Sequence, residues 1–121
     1  MPQAAHNPDW EVTPEELQQL LHQSNDAFAL IDVRHPDEHA LARIPGSVLI
    51  PLPQLQAQAA ELAEALEGKT IVTHCHLGMR SLKAAAILRS VGLHNTKSLA
   101  GGIDAWQAHL RTDRQTPENA S

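Results

Sequence analysis

Two short apolar runs, residues 27–33 and 70–74, constrain the fold of this chain more than any other feature. They read Ala-Phe-Ala-Leu-Ile-Asp-Val and Thr-Ile-Val-Thr-His. Runs of this length and composition are typical of strands buried on both faces of a parallel sheet. Segments with helical periodicity alternate with such runs along the chain. This alternation predicts an α/β fold with three layers, in which helices flank a central, mostly parallel β-sheet.

The remaining predicted elements follow the same alternation. The first helix is the best marked, because Thr13, Pro14 and Glu16 form a capping box with proline at the first helical position. We also predict short strands at residues 47–50 and 96–99. Further helices are predicted from residue 36 and at residues 55–66, 80–91 and 103–110. In parallel sheets ligands bind beyond the carboxyl ends of the strands, so the segments that follow the strands are expected on one rim.

The size and charge of the chain limit its domain count and its partners. A chain of 121 residues suits one domain. We assign this domain to residues 11–110, with an N-terminal arm at 1–10 and a frayed C-terminal tail at 111–121. The formal net charge of -5 opposes a nucleic-acid partner and an anionic membrane surface, since both require a basic face.

The single cysteine and the absence of apolar spans bear on the location of the protein. One cysteine excludes an internal disulfide framework and a Cys-rich zinc site. The N-terminus lacks the basic and apolar regions of a secretory signal, and no apolar run approaches the ~18 residues that a membrane span needs. We therefore expect a cytoplasmic protein, in a compartment where a free thiol persists.

The segment after the second apolar run carries the candidate chemistry. Six residues, from Cys75 to Arg80, connect a buried strand to a helix. Such a turn points backbone N–H groups and a helix N-terminus into one small concavity, which forms an anion site. The helix dipole and the Arg80 cation are expected to favour the nucleophilic thiolate of Cys75. These residues predict a cysteine-based group-transfer enzyme.

Four segments in this order resemble the rhodanese family of sulfurtransferases in its single-domain form. They are residues 30–34 (Leu-Ile-Asp-Val-Arg), 43–47 (Arg-Ile-Pro-Gly-Ser), the loop 75–80 with Ser81 after it, and 99–106 (Leu-Ala-Gly-Gly-Ile-Asp-Ala-Trp). The resemblance extends from Val12 to about His109. It implies that the predicted α/β domain at residues 11–110 is a single rhodanese-like domain.

The resemblance implies that Cys75 is the catalytic residue. Its thiolate would take the outer sulfur of a small donor, thiosulfate or a persulfide, and become a persulfide. Cyanide, a thiol or a thioredoxin-like protein would then accept the sulfur. Thiolate exchange at sulfur needs no general base, and we expect neither a cofactor nor a metal. Arg80 would steer the donor, and the residues that bind substrate and persulfide would be His76, Leu77, Gly78, Met79, Arg80 and Ser81.

Two other functions are considered beside this one. A sulfur-carrier or interaction module would dock a partner protein over the Cys75 loop, at the apolar residues Leu77 and Met79, with little turnover of small molecules. A phosphatase or arsenate reductase would need a larger loop. Only four residues separate Cys75 from Arg80, one fewer than in the related dual-specificity phosphatases, so the ring of amides should be too small for phosphate.

His76 is one departure from the family pattern, because thiosulfate-using members often carry a basic residue directly after the cysteine. A neutral His76 weakens the case for efficient use of thiosulfate. The common Gly-His before Ile-Pro-Gly is replaced by Ala42-Arg43. Metal binding by the histidines near Cys75 is disfavoured, because His74 and Cys75 are adjacent on a strand and point to opposite faces.

Several other residues receive structural roles. Asp32 is expected to accept hydrogen bonds from the backbone or a loop, and Arg34 to pair with a carboxylate. We place Trp106 in the core. Gly101 and Gly102 are expected to allow close packing beside the Cys75 loop. Lys83 and Arg89 are expected on a solvated helix face.

Overall fold

The computed structural model describes residues 7–23 and 26–120. Within these residues five strands form one sheet: β1 (Glu11–Val12), β2 (Phe28–Asp32), β3 (Val48–Leu49), β4 (Thr70–His74) and β5 (Thr96–Leu99). The helices described are α1 (Pro14–Gln23), α2 (Pro36–Leu41), α3 (Leu52–Ala57), α4 (Ala59–Ala65), α5 (Met79–Ser90) and α6 (Gly102–Ala120).

Every strand pair in the sheet is parallel, and the order is β1-β5-β4-β2-β3. In the register of β2 and β4, Phe28 lies opposite Thr70 and Asp32 lies opposite His74. The carboxyl ends of the strands therefore share one edge of the sheet, where parallel sheets bind ligands. The predicted α/β fold, with a parallel sheet between helices, is confirmed.

Helices cover both faces of the sheet and create two apolar cores. The core shared with α1 and α6 contains Val12, Leu17, Leu30, Ile44, Val72, Leu99, Ile103 and Trp106. The core on the other face, shared with α3, α4 and α5, contains Ile31, Val33, Leu55, Ile71, Cys75, Ala84, Leu88 and Leu93. Successive strand residues point to opposite faces, which is why β2 and β4 contribute to both cores. The expected core position of Trp106 is confirmed.

Three differences from the predicted helices exceed one residue. The helix predicted at residues 55–66 is two helices, because Gln58 (φ -106°, ψ 15°) leaves the helical region between α3 and α4. Helix α3 starts early, at Leu52, since Pro53 sits in its first turn, where a missing N–H is harmless. The backbone of α6 is helical to Ala120, although its apolar stripe ends at Leu110. Apolar periodicity marks only the buried part of a helix.

Strand β1 was not predicted, because two residues show no alternation. Backbone bonds fix it beside β5: Ser98 N–H donates to the Trp10 carbonyl at 2.8 Å, and Ala100 N–H donates to the Val12 carbonyl at 2.9 Å. The Arg89 guanidinium lies 3.7 Å from the centre of the Trp10 ring. The prediction of a purely solvated Arg89 is therefore wrong. Residues 1–6 of the predicted arm lie outside the described residues.

Across the described ranges, no helix combines the length and the apolar character required to cross a membrane.

Candidate active site

Cys75 lies directly after β4, at the carboxyl edge of the sheet, and only 1% of its surface is exposed. The chain then turns through His76 and Leu77 to Gly78, and α5 begins at Met79. Gly78 has a φ of 111°, which glycine adopts without steric cost. The turn brings the N-terminus of α5 next to the cysteine sulfur.

Hydrogen-bond donors converge on Cys75 Sγ. The backbone N–H groups of Gly78 and Ser81 donate to the sulfur at 3.1 and 3.4 Å, and Ser81 Oγ lies 3.4 Å from it. Ser81 Oγ is in turn 2.7 Å from Ser98 Oγ of β5. The Thr73 hydroxyl donates to the Ser81 carbonyl at 2.8 Å and so holds the first turn of α5 against β4. Donors at a helix N-terminus stabilise negative charge, so the sulfur occupies an anion-stabilising position.

The N-terminus of α6 binds the outer side of the same loop. Ile103 N–H donates to the Cys75 carbonyl at 2.8 Å, and Asp104 N–H donates to the His76 carbonyl at 3.2 Å. A Cβ added to Gly102 would lie 2.3 Å from the His76 carbonyl oxygen and 2.5 Å from that of Cys75. The predicted close packing of glycine beside the loop is confirmed, and the start of α6 binds two carbonyls of the loop.

Arg80, in the first turn of α5, pairs with Glu38 of α2. The two bonds to the carboxylate are 2.9 and 3.1 Å, and the two side chains are 33% and 30% exposed. Glu38 raises the pKa of Arg80, while Arg80 lowers the pKa of Glu38 to about 2. Glu38 also accepts the His35 N–H at 2.9 Å, at the start of α2. Arg80, which is predicted to steer the donor, is therefore paired with the carboxylate of Glu38.

A second charged cluster lies at the carboxyl end of β2. Arg34 donates from Nε and Nη2 to the two oxygens of Asp32 at 2.9 and 2.8 Å, and His39 Nδ1 lies 2.8 Å from Asp32 Oδ2. Asp32 is 0% and Arg34 4% exposed. Burial raises the pKa of Asp32, but the bonds from Arg34 and His39 outweigh it and lower the pKa to about 2. The predicted structural pairing of Arg34 with a carboxylate is confirmed.

His74, the residue before Cys75, is completely buried on the opposite face of β4. Its Nε2 lies 3.8 Å from Asp32 Oδ2, which is too long for a hydrogen bond. Neither ring nitrogen finds a hydrogen-bond partner in the part of the chain that the structure describes. Burial lowers the pKa of His74 to about 4, against the opposing effect of Asp32. His74 is therefore a neutral, buried ring at pH 7.

We expect the free energy of unfolding to fall as the pH drops from 6.5 to 4. His74 has a pKa of about 4 in the folded protein and an ordinary value of 6.5, so the unfolded chain binds the proton first. The stabilisation present above pH 6.5 is lost as the pH falls through 4. At ~1.4 kcal/mol per pKa unit, the full loss is about 3 kcal/mol. Urea unfolding across this pH range measures it.

His74→Leu should flatten this pH dependence, because leucine does not titrate. His94→Gln, at an exposed position, is the matched control and should leave the dependence unchanged. An equally steep loss of stability in His74→Leu would show that another group is responsible.

The structure brings together three of the predicted site residues, Cys75, Gly78 and Ser81. Leu77 and Met79 are 61% and 78% exposed at the rim, and His76 is exposed beside them. Among the described residues, no group of three or more His, Cys, Asp or Glu side chains could hold a metal ion. The binding roles assigned to the loop residues stay predictions.

Sequence analysis missed Glu38, His39 and Ser98. Glu38 is 42 residues from its partner Arg80, and Ser98 is 17 residues from Ser81. Such separations leave no periodic signal in a sequence. The available signal for Glu38 is positional, because a carboxylate in the short helix after β2 must lie on the same rim as the Cys75 loop.

The fold and the loop define a class of protein in which a buried cysteine ends the central strand of a parallel sheet, within an anion site. The family model described as the Rhodanese-like domain matches residues 13–109 of this chain. The chain therefore belongs to the rhodanese-like domain family, as the four sequence segments predicted.

Individual relatives agree with this family. A sulfurtransferase of Allochromatium vinosum is 32% identical over 99 residues, which cover 82% of this chain and 89% of that protein. The probable adenylyltransferase/sulfurtransferase MoeZ of Mycobacterium tuberculosis is 36% identical over 84% of this chain, and this chain spans 26% of its length. The solved human single-domain sulfurtransferase TSTD1 is 28% identical with a TM-score of 0.67, covering 81% of this chain and 95% of that one.

Proposed function

We propose that this protein transfers sulfane sulfur through a persulfide on Cys75. The observation that carries the proposal is the convergence of the Gly78 and Ser81 N–H groups and the Ser81 hydroxyl on Cys75 Sγ. The two N–H donors stabilise negative charge on Cys75 Sγ in the attacking thiolate. Membership of the rhodanese-like sulfurtransferase family supports the same chemistry.

The proposed reaction has two steps and no net oxidation. The Cys75 thiolate attacks the outer sulfur of a donor such as thiosulfate. A new S–S bond forms, and the donor S–S bond breaks with its electron pair leaving on sulfite. A thiophilic acceptor, either cyanide or a thiol, then attacks the outer sulfur of the persulfide and releases the Cys75 thiolate. Neither a cofactor nor a metal takes part.

We place this activity in the domain at residues 11–110, in the cytoplasm. Small donors reach the sulfur through the rim formed by the loop from His76 to Ser81. The donor class is thiosulfate or a persulfide, and the physiological acceptor class is a thiol or a thioredoxin-like protein. The six-residue loop, with four residues between Cys75 and Arg80, disfavours phosphate as a substrate.

Intact mass after incubation with thiosulfate tests the proposal. The wild-type protein is expected to gain one sulfur atom, and cyanide should remove it. Cys75→Ser, which deletes the single cysteine of the chain, should gain none. If neither thiosulfate nor glutathione persulfide adds sulfur to the wild type, the proposed function is wrong.

A second candidate function is a sulfur-carrier module that docks a partner protein. The observation in its favour is the exposure of two apolar side chains, Leu77 and Met79, at the rim of the loop. A carrier would load one sulfur per chain but show negligible steady-state turnover of thiosulfate with cyanide. Sustained turnover of these small molecules would favour the enzyme.

A further inference from the structure

We propose that Glu38 determines which sulfur donors the Cys75 site accepts, by cancelling the charge of Arg80. The inference rests on the proposed function and specifies its substrate class. The site favours donors with a single negative charge over the dianion thiosulfate.

The geometry of the ion pair shows that Glu38 binds the guanidinium of Arg80. Arg80 ends the Cys75 loop, but both of its terminal nitrogens bind the Glu38 carboxylate, at 2.9 and 3.1 Å. A carboxylate bound in this bidentate way occupies the Nη1–Nη2 edge of the guanidinium and offsets its positive charge. Arg34, at the same edge of the sheet, is likewise engaged by Asp32. Neither arginine presents an unpaired cation to a donor.

Arg80 lies close to the reacting sulfur of Cys75. Arg80 directly precedes Ser81, whose backbone N–H donates to Cys75 Sγ at 3.4 Å. Beyond the main effect of Glu38, the negative form of Cys75 contributes to the raised pKa of Arg80. The guanidinium therefore lies within electrostatic reach of the reacting sulfur. A change in the net charge of the Arg80–Glu38 pair acts at the place where the donor must bind.

The charge of the donor determines how strongly the Arg80–Glu38 pair affects its reaction. Attack of a thiolate on thiosulfate brings three negative charges together, whereas attack on a monoanionic donor brings two. An unpaired guanidinium would offset one of them, but the field of an ion pair is weak, because its two charges largely cancel. Glu38 therefore disfavours the dianion more than the monoanion.

Two donors separate charge from chemistry. Methanethiosulfonate differs from thiosulfate in having a methyl group in place of one charged oxygen. Each donor gives up the same sulfane sulfur, and the leaving group is methanesulfinate or sulfite. The ratio of the two kcat/KM values, with cyanide as acceptor, reports donor charge. Because both rates come from one sample, the ratio does not depend on the folded fraction.

We expect Glu38→Gln to raise the ratio of thiosulfate to methanethiosulfonate about five- to tenfold, as expected for one partly exposed charge. Glutamine keeps an oxygen that can accept the His35 N–H, so the start of α2 is preserved. Asp37→Asn makes the same charge change at the neighbouring exposed residue and should leave the ratio unchanged. In an Arg80→Gln background, Glu38→Gln should raise the ratio less than it does in the wild type, because no guanidinium is left for the donor to bind.

The outcomes distinguish this inference from the proposed function. An unchanged ratio in Glu38→Gln, or an equal rise in Asp37→Asn, would overturn the inference while Cys75 still forms a persulfide. A rise of the same size without Arg80 would also overturn it. If Cys75 accepts sulfur from neither donor, the inference fails. If Cys75 also accepts none from glutathione persulfide, the proposed function fails with it.

Discussion

Gly102→Ala is expected to reduce the free energy of unfolding by about 2–5 kcal/mol and to displace the Cys75 loop. Gly102 has a φ of 64°, where a side chain costs about 1–2 kcal/mol. The new Cβ would also lie 2.4 Å from the His76 carbonyl carbon. Relieving that overlap costs roughly another 1–3 kcal/mol. The loop cannot retreat without weakening the bonds that Ile103 and Asp104 donate to it.

Gly92→Ala is the matched control. Gly92 also has a positive φ, of 100°, but a Cβ there meets no heavy atom within 4 Å. It should therefore lose only the backbone component, about 1–2 kcal/mol. Urea unfolding of both variants gives the comparison, and persulfide formation by Gly102→Ala reports on the loop. Equal losses of stability would mean that the contact with the loop is unimportant.

Asp32→Asn is expected to be comparably destabilising, by about 3–5 kcal/mol at neutral pH. The substitution keeps the shape of the side chain but leaves the Arg34 guanidinium, which is 4% exposed, without a countercharge. A buried charge that loses its partner retains its desolvation penalty. The measurement is the urea midpoint of unfolding for the wild type and the variant at neutral pH.

Glu38→Gln serves as the control, because it breaks an ion pair that is about one third exposed. Its cost in stability should stay below about 1 kcal/mol. Similar losses for Asp32→Asn and Glu38→Gln would contradict the distinction between buried and exposed pairs.

The wild type should also lose the stabilising contribution of Asp32 in acid. The pKa of Asp32 is about 2 against an ordinary 3.8, so this stability is present above pH 3.8 and disappears as the pH falls through 2.

Local signals explain what could be predicted from the sequence. The apolar β-branched run at residues 70–74 and the short run at 96–99 correspond to β4 and β5 at the predicted bounds. Strand composition, turn residues and caps are encoded within a few neighbouring residues. The place of Cys75 followed from these, since a loop after a central parallel strand must lie on the ligand-binding edge.

Contacts between distant rim segments explain what could not be predicted. The pairing of Glu38 with Arg80 depends on how α2 and α5 meet above the sheet, and no pattern along either helix records it. The same holds for the serine pair that joins Ser81 to Ser98. Polarity suggests which residues avoid the core, but only the topology determines which polar groups meet. The position of His74 beside Asp32 likewise depends on the register of β2 and β4.

The pairing of the first strand with the last sets the order in which this sheet can assemble. Glu11 lies opposite Ser98, so nearly the whole chain separates the two strands of that ladder. Closing so long a loop carries a large entropic cost, and a two-residue strand provides few contacts in return. The ladder between β2 and β4 closes a shorter loop and pairs five residues instead of two. We therefore expect the strand that comes first in the sheet's sequence order, β1, to join the sheet last.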